Sequence, residues 1–79
     1  MKYHRIPDET IRRLAGYLRA LVFSSEQGWE RISSRTLADL VGVNPCQVRK
    51  DFSYFGDFGT RGVGYSVDNL TKHIRKILK

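Results

Sequence analysis

Apolar residues recur at helical spacing in four stretches of the chain, separated by short polar or glycine-bearing segments. The first stretch, "IPDETIRRLAGYLRALVFSSEQG", puts Ile11, Leu14, Ala15, Leu18, Leu21 and Val22 on one stripe. Pro7 comes just before Asp8 and Glu9. A proline near the first turn and acids near the positive end of the helix dipole are start signals. Gly28 suits the exit. Together they predict a helix over 8–25, with Arg12, Arg13 and Arg19 off the apolar stripe. "WERIS" is too short for another helix, so Ile32 beside Trp29 predicts a brief extended segment or small strand, with Trp29 packing.

"SSRTLADLVG" predicts a short second helix, capped by Ser33 or Ser34, with Leu37, Leu40 and Val41 as its apolar face and Gly42 as its stop. "NPCQVRKDFSYFG" predicts a third, Pro45–Phe55, with Asn44 as N-cap and Pro45 at the first helical position. Only "GVN" lies between these two helices, which is a helix-turn-helix signature. "DFGTRGVGYSV" carries too much glycine for a helix, and Phe58, Val63 and Tyr65 flank "GTRG" as in a tight hairpin. "SVDNLTKHIRKILK" closes the chain as a helix capped by Ser66, with a stripe of Val67, Leu70, Ile74, Ile77 and Leu78. The order is helix, strand, helix, helix, β-hairpin wing, helix. The expected fold is mainly α with a minor β part: a winged helix-turn-helix. With 79 residues, 1–79 reads as a single domain.

Charge narrows the function. Fourteen Lys and Arg against eight Asp and Glu give a net +6, the chemistry of a partner rich in phosphate. The excess is spread as +1 over residues 1–30, +2 over 31–65 and +3 over 66–79, so a binding face has to be assembled by folding. The single cysteine, Cys46, excludes an internal disulfide and fits a reducing cytoplasm. No apolar run approaches the roughly 20 residues of a membrane helix, and the N-terminus lacks a signal-peptide core, so no membrane role is expected. His4 and His73 are isolated, the acids do not pair for acid–base work, and "GTRGVG" lacks the G-x-G-x-x-G spacing of a dinucleotide loop. The "DFG" of a kinase appears at 57–59 in a chain too short to be one. No enzyme, metal site or cofactor site is expected here.

On the third helix, Val48, Phe52 and Phe55 fall within about 60° of one another at 100° per residue, which makes that side the core face. Cys46, Lys50 and Ser53 lie opposite, Gln47 and Tyr54 flank one side, Arg49 flanks the other, and Asp51 lies near the core edge. The free face suits a DNA major groove. Lys50 can donate to guanine, Arg49 can clamp a phosphate or reach guanine, and Ser53 and Tyr54 can bond phosphate oxygens. Gln47 can pair with adenine or complete a capping box with Asn44. Tyr54 can instead pack across the helix end. Asp51 reads as a partner for a nearby arginine. Of Ser33 and Ser34, one caps and the other, at a helix N-terminus, can meet phosphate.

The tract "QVRKDFSYFGDFGTRGVGY" is close to Q-[VI]-R-K-D-L-S-Y-F-G-x-[FY]-G-x-R-G-V-G-Y, and "IPDETIRRLAGYLRAL" is similar to a first helix known beside it. Over residues 6–78 the chain thus resembles the N-terminal DNA-binding domain of the Rex family, bacterial redox-sensing transcriptional repressors. The resemblance implies a winged helix acting as a dimer on double-stranded DNA, at an AT-rich inverted-repeat operator with TTGTGA-like half-sites. It puts Gln47, Arg49, Lys50 and Tyr54 at the DNA through the recognition helix in the major groove, and Thr60, Arg61 and Gly62 through a wing in the minor groove; Ser34, Asn44 and Ser53 join them as candidate DNA contacts from the residue pattern. Phe52 departs from the usual leucine, and Cys46 stands at a variable position. Family members continue into a Rossmann domain that binds NADH or NAD⁺ and supplies most of the dimer interface; NADH closes the dimer and releases DNA. These 79 residues contain no such domain, so NAD(H) is expected only in a full-length parent. The chain is then an excised domain, monomeric or weakly dimeric, or a stand-alone module acting on a full-length repressor.

Overall fold

The computed structural model describes residues 6–54, 59–60 and 64–78. Helix α1 spans Asp8–Glu26, one residue longer than predicted. Pro7 precedes it in an extended conformation, and its carbonyl accepts the Ile11 N–H at 3.1 Å. The buried face is Thr10, Leu14, Tyr17, Leu21 and Ser24, joined by Ala20. That is a rotation from the predicted stripe: Ala15 is exposed, and Ile11, Leu18 and Val22 are half-buried. The rotation is possible because the polar members have partners. Ser24 donates to the Ala20 carbonyl at 2.8 Å, and Thr10 and Tyr17 reach a carboxylate on another helix.

Strand β1 is Arg31–Ile32, and Ile32 enters the core. Trp29 does not: it is 40% exposed and meets Phe23 edge-on at the surface, centroids 5.9 Å apart. Helix α2, Ser34–Val41, is capped by Ser33, whose Oγ accepts the Thr36 N–H at 3.0 Å. Its buried arc is centred between Leu37 and Ala38, which turns Leu40 about 110° away. Leu40 is accordingly 43% exposed, against its predicted place on the apolar face. Gly42 ends α2 in the left-handed region, φ +88°, as a C-cap.

Helix α3 is Pro45–Ser53, with Asn44 Oδ1 accepting the Gln47 N–H at 3.2 Å. It ends at Ser53, with Tyr54 as C-cap, instead of running to Phe55, which with Gly56–Phe58 lies outside the described residues. Strands β2 (Gly59–Thr60) and β3 (Gly64–Ser66) form the predicted hairpin, pairing Gly59 with Tyr65 and Thr60 with Gly64. The hairpin also pairs with β1, Arg31 opposite Ser66 and Ile32 opposite Tyr65, giving a three-stranded antiparallel sheet in the order β1-β3-β2. Gly64 takes φ +88° there, and a Cβ at that position would sit 2.9 Å from the Ile32 carbonyl oxygen. Helix α4, Val67–Leu78, follows at once, with Ser66 Oγ accepting the Asn69 N–H at 3.3 Å. It buries Val67, Leu70 and Ile74 and packs along α1, while Leu78 is left 36% exposed.

The centre of the core is aromatic. Phe52 of α3 lies edge-on to Tyr17 of α1 at 5.1 Å and to Tyr65 of β3 at 5.2 Å. One side chain of the third helix thereby touches both the first helix and the wing. This is the winged helix the pattern predicts. No helix among the described residues is long and apolar enough to cross a membrane.

Candidate nucleic-acid interface

Helix α3 has two sides with opposite roles. Val48 and Phe52 hold it to the core. Cys46, Arg49, Lys50 and Ser53 stand exposed on the other side, as the 100° spacing requires. Arg49 bridges backward: Nη1 donates to Ser34 Oγ on α2 at 3.1 Å, and Nη2 to Cys46 Sγ at 3.2 Å. The guanidinium is thus held across the short turn between the two helices. The Lys50 ammonium has no hydrogen-bond or ion-pair partner among the described residues and points its charge at solvent. Ser53 donates to the Lys50 carbonyl at 2.6 Å, leaving its oxygen lone pairs outward.

Asp51 is the only acid on α3, and it is fully buried. Its carboxylate accepts from Thr10 Oγ1 at 2.9 Å, Arg13 Nε at 2.7 Å, Arg13 Nη2 at 2.9 Å, the Tyr17 hydroxyl, and Gln47 Nε2 at 2.9 Å. Burial alone would raise this carboxyl's pKa. The hydrogen bonds from Arg13, Tyr17, Thr10 and Gln47 outweigh it and hold the group below the usual carboxylate range. The same burial, with the Asp51 bond, raises the Tyr17 phenol, which stays protonated as a donor. The consequence for the outer face is electrostatic. The one negative charge on α3 is turned inward and neutralised by Arg13, so what remains outward is cationic or neutral.

The arginine expected beside Asp51 is Arg13, whose sequence position marks it only as off the apolar stripe, and Thr10 and Tyr17 join it without having been expected there. Their spacing was the available signal: 10, 13 and 17 share one helical face. Gln47 does not use its side chain for a capping box; its amide nitrogen goes to Asp51. Asn44 is the N-cap, and Ser34 accepts from Arg49 while Ser33 does the capping. Tyr54 is half-buried and packs against the core cluster. Thr60 lies on β2 opposite Gly64, and Arg61 and Gly62 fall outside the described residues.

A second surface feature was not legible in the sequence. Phe23 and Leu40, each 43% exposed, line a shallow groove of about 300 Å³ between α1 and α2 with Gly16, Arg19, Ala20 and Val41.

Comparison with known proteins places this arrangement. The family model described as "Putative DNA-binding protein N-terminus" matches residues 5–53. The redox-sensing transcriptional repressor Rex of Desulfitobacterium hafniense is 55% identical over 78 residues, covering 99% of this chain and 37% of the relative. Rex of Syntrophobacter fumaroxidans is 51% identical over the same length and coverage. The chain therefore spans just over a third of the length of these relatives. Among solved structures, RSP in complex with β-NAD⁺ and operator DNA superimposes with a TM-score of 0.87 at 40% identity, covering 95% of this chain and 35% of that one. RSP in complex with β-NADH gives 0.80 at 36% identity. With the family model matching more than half its length, and its helix-turn-helix, wing and arginine–lysine face in place, this chain belongs to the family of N-terminal winged-helix DNA-binding domains found in the Rex redox-sensing repressors.

Proposed function

We propose that residues 1–79 form one sequence-specific DNA-reading head of a Rex-type repressor, with α3 in the major groove and the wing in the adjacent minor groove of an AT-rich inverted repeat. Lys50 reads bases, Arg49 and Ser34 hold phosphate across the turn, Ser53 and Tyr54 add backbone contacts, and Arg61 with Thr60 and Gly62 serves the wing. The observation that carries this reading is the charge separation on α3. Its carboxylate is buried against Arg13 while Arg49 and Lys50 stand exposed side by side. A helix presenting cations and hydroxyls without an acid matches the negative potential and the acceptor-rich guanine edge of the groove. The similarity to RSP, a protein solved on operator DNA, supports the same docking. NAD(H) response and homodimer formation belong, in this reading, to the part of the relatives' length that this chain does not span, and the setting is the cytoplasm.

Fluorescence anisotropy with a TTGTGA inverted repeat and a scrambled duplex of equal composition, at two salt concentrations, tests the reading. Tighter, salt-dependent binding to the repeat is expected. Equal affinity for both duplexes would overturn it.

The exposed Phe23 and Leu40 favour a second reading, in which the domain engages another polypeptide, such as a full-length repressor, through the α1–α2 groove. Gel filtration with a full-length Rex protein separates the two: co-elution in the absence of DNA supports the second.

A further inference from the structure

The buried carboxylate of Asp51 joins two helices through side chains alone. Thr10, Arg13 and Tyr17 come from one face of α1; Gln47 and Asp51 come from one face of α3, four residues apart. Thr10, Tyr17 and Asp51 are at most 1% exposed. Asp51 Oδ1 takes Thr10, Arg13 and Gln47, and Oδ2 takes Arg13 and Tyr17, so both oxygens are saturated. Such a set of bonds fixes α3 against rotation about its own axis. Packing of Val48 and Phe52 alone would resist that motion less, because apolar contact is non-directional.

Gln47 is half-buried and belongs to α3, the helix proposed to enter the groove. A bidentate pair with adenine needs its amide oxygen and nitrogen presented together to N7 and N6. Here the nitrogen is directed inward, 2.9 Å from Asp51 Oδ1. We infer that Gln47 and Asp51 are positioning residues: with Thr10, Arg13 and Tyr17 they set the rotation of α3, and so aim Lys50 and Arg49, while Gln47 itself reads no base. This inference rests on the DNA-reading role proposed above and revises the part given to Gln47 in the sequence analysis.

The two roles differ in what they do to specificity. A base reader, once removed, relaxes discrimination at one base pair. A positioning residue, once removed, weakens the whole half-site, because every contact made by α3 is misplaced together. Mere support of the fold would leave binding unchanged in any variant that is still fully folded.

The experiment uses the 79-residue chain and its Gln47→Ala, Tyr17→Phe and Lys50→Ala variants, each checked for a native fold by proton–nitrogen NMR. Anisotropy is measured against the inverted repeat and a panel with each half-site base pair changed singly. The Tyr17 hydroxyl lies on α1 and is buried, so it cannot touch DNA. Tyr17→Phe is expected to weaken operator binding about tenfold with no single base pair relaxed and an unchanged salt slope, and Gln47→Ala to give the same pattern. Lys50→Ala should instead relax a particular base pair. In the free protein, Tyr17→Phe should move the Gln47 side-chain amide resonances. The inference is overturned if Gln47→Ala relaxes one base pair, if both folded variants bind like the unchanged chain, or if the Gln47 amide does not respond to Tyr17→Phe. Should the unchanged chain fail to prefer the repeat over scrambled DNA, the reading-head proposal itself fails, and the NMR arm still decides whether Tyr17 and Gln47 are coupled.

Discussion

The ring of Phe52 on α3 meets the ring of Tyr65 on β3 edge to face, with centroids 5.2 Å apart and planes inclined by 88°. Tyr17 meets the same ring from α1 at 5.1 Å. A leucine, the residue usual in this signature, fills similar space but has no ring edge to offer. Phe52→Leu is expected to cost about 1–3 kcal/mol, from two lost aromatic pairs and imperfect refilling of the volume. Urea unfolding followed by circular dichroism measures it, and a change below about 0.5 kcal/mol would show that the edge contacts contribute nothing beyond volume.

Two glycines share a backbone conformation and differ in their surroundings. Gly42 and Gly64 both take φ +88°, but a Cβ at Gly42 meets nothing within 4 Å, whereas at Gly64 it would lie 2.9 Å from the Ile32 carbonyl oxygen. Gly42→Ala should therefore cost about 1–2 kcal/mol, the strain of an alanine in the left-handed region. Gly64→Ala should cost clearly more, because the β1–β3 pairing must shift as well. Thermal unfolding of the two variants side by side tests the ranking. Equal losses would mean that β1 yields freely.

The Asp51 network makes stability depend on pH at both ends of the scale. In the fold the Asp51 carboxyl titrates below its unfolded value of about 3.9. Its contribution is fully present above that value and is lost as pH falls through the lower folded pKa. Tyr17 is shifted the other way: burial and the Asp51 bond raise it above an unfolded value of about 10. Its contribution is present below pH of about 10 and declines above it. Denaturant midpoints between acid and alkaline pH should fall at both ends. Asp51→Asn should flatten the acid limb and cost about 3–5 kcal/mol at neutral pH, since Arg13 and the other donors then face an amide. An acid limb unchanged in Asp51→Asn would assign it to other carboxyls.

The elements were legible in the sequence because local chemistry sets them. Asn44 and Pro45 start α3, Gly42 stops α2, and Gly64 takes φ +88° where β3 pairs with β2. What the sequence did not reveal is how each helix turns about its axis, which depends on contacts between distant residues. Periodicity counted Ala15 and Leu40 as core and passed over Tyr17 and Thr10, because a polar residue enters the core only if a partner waits there. The partner, Asp51, lies thirty-four or more residues away. Likewise, the outward position of Cys46, Lys50 and Ser53 followed from angles alone, while the inward pull on Gln47 did not. The pairing of β1 with the wing is another long-range event, visible in the sequence only as an isolated Ile32.

Arg49 and Lys50 are neighbours in the chain and are expected to fail differently. The Lys50 ammonium has no partner among the described residues, so Lys50→Ala should cost about 1–3 kcal/mol on the operator and relax discrimination where it meets a base. Arg49 is already fixed by Ser34 Oγ and Cys46 Sγ at the turn between α2 and α3. That geometry suits a phosphate clamp. Arg49→Ala should therefore weaken operator and scrambled DNA alike and lower the salt slope by about one. Arg49→Lys keeps the charge but loses the planar fork that reaches Ser34 and Cys46 together, so it should recover the salt slope and only part of the affinity. Anisotropy titrations over a salt series separate these outcomes. Loss of base-pair discrimination in Arg49→Ala with an unchanged slope would move Arg49 from the phosphates to the bases.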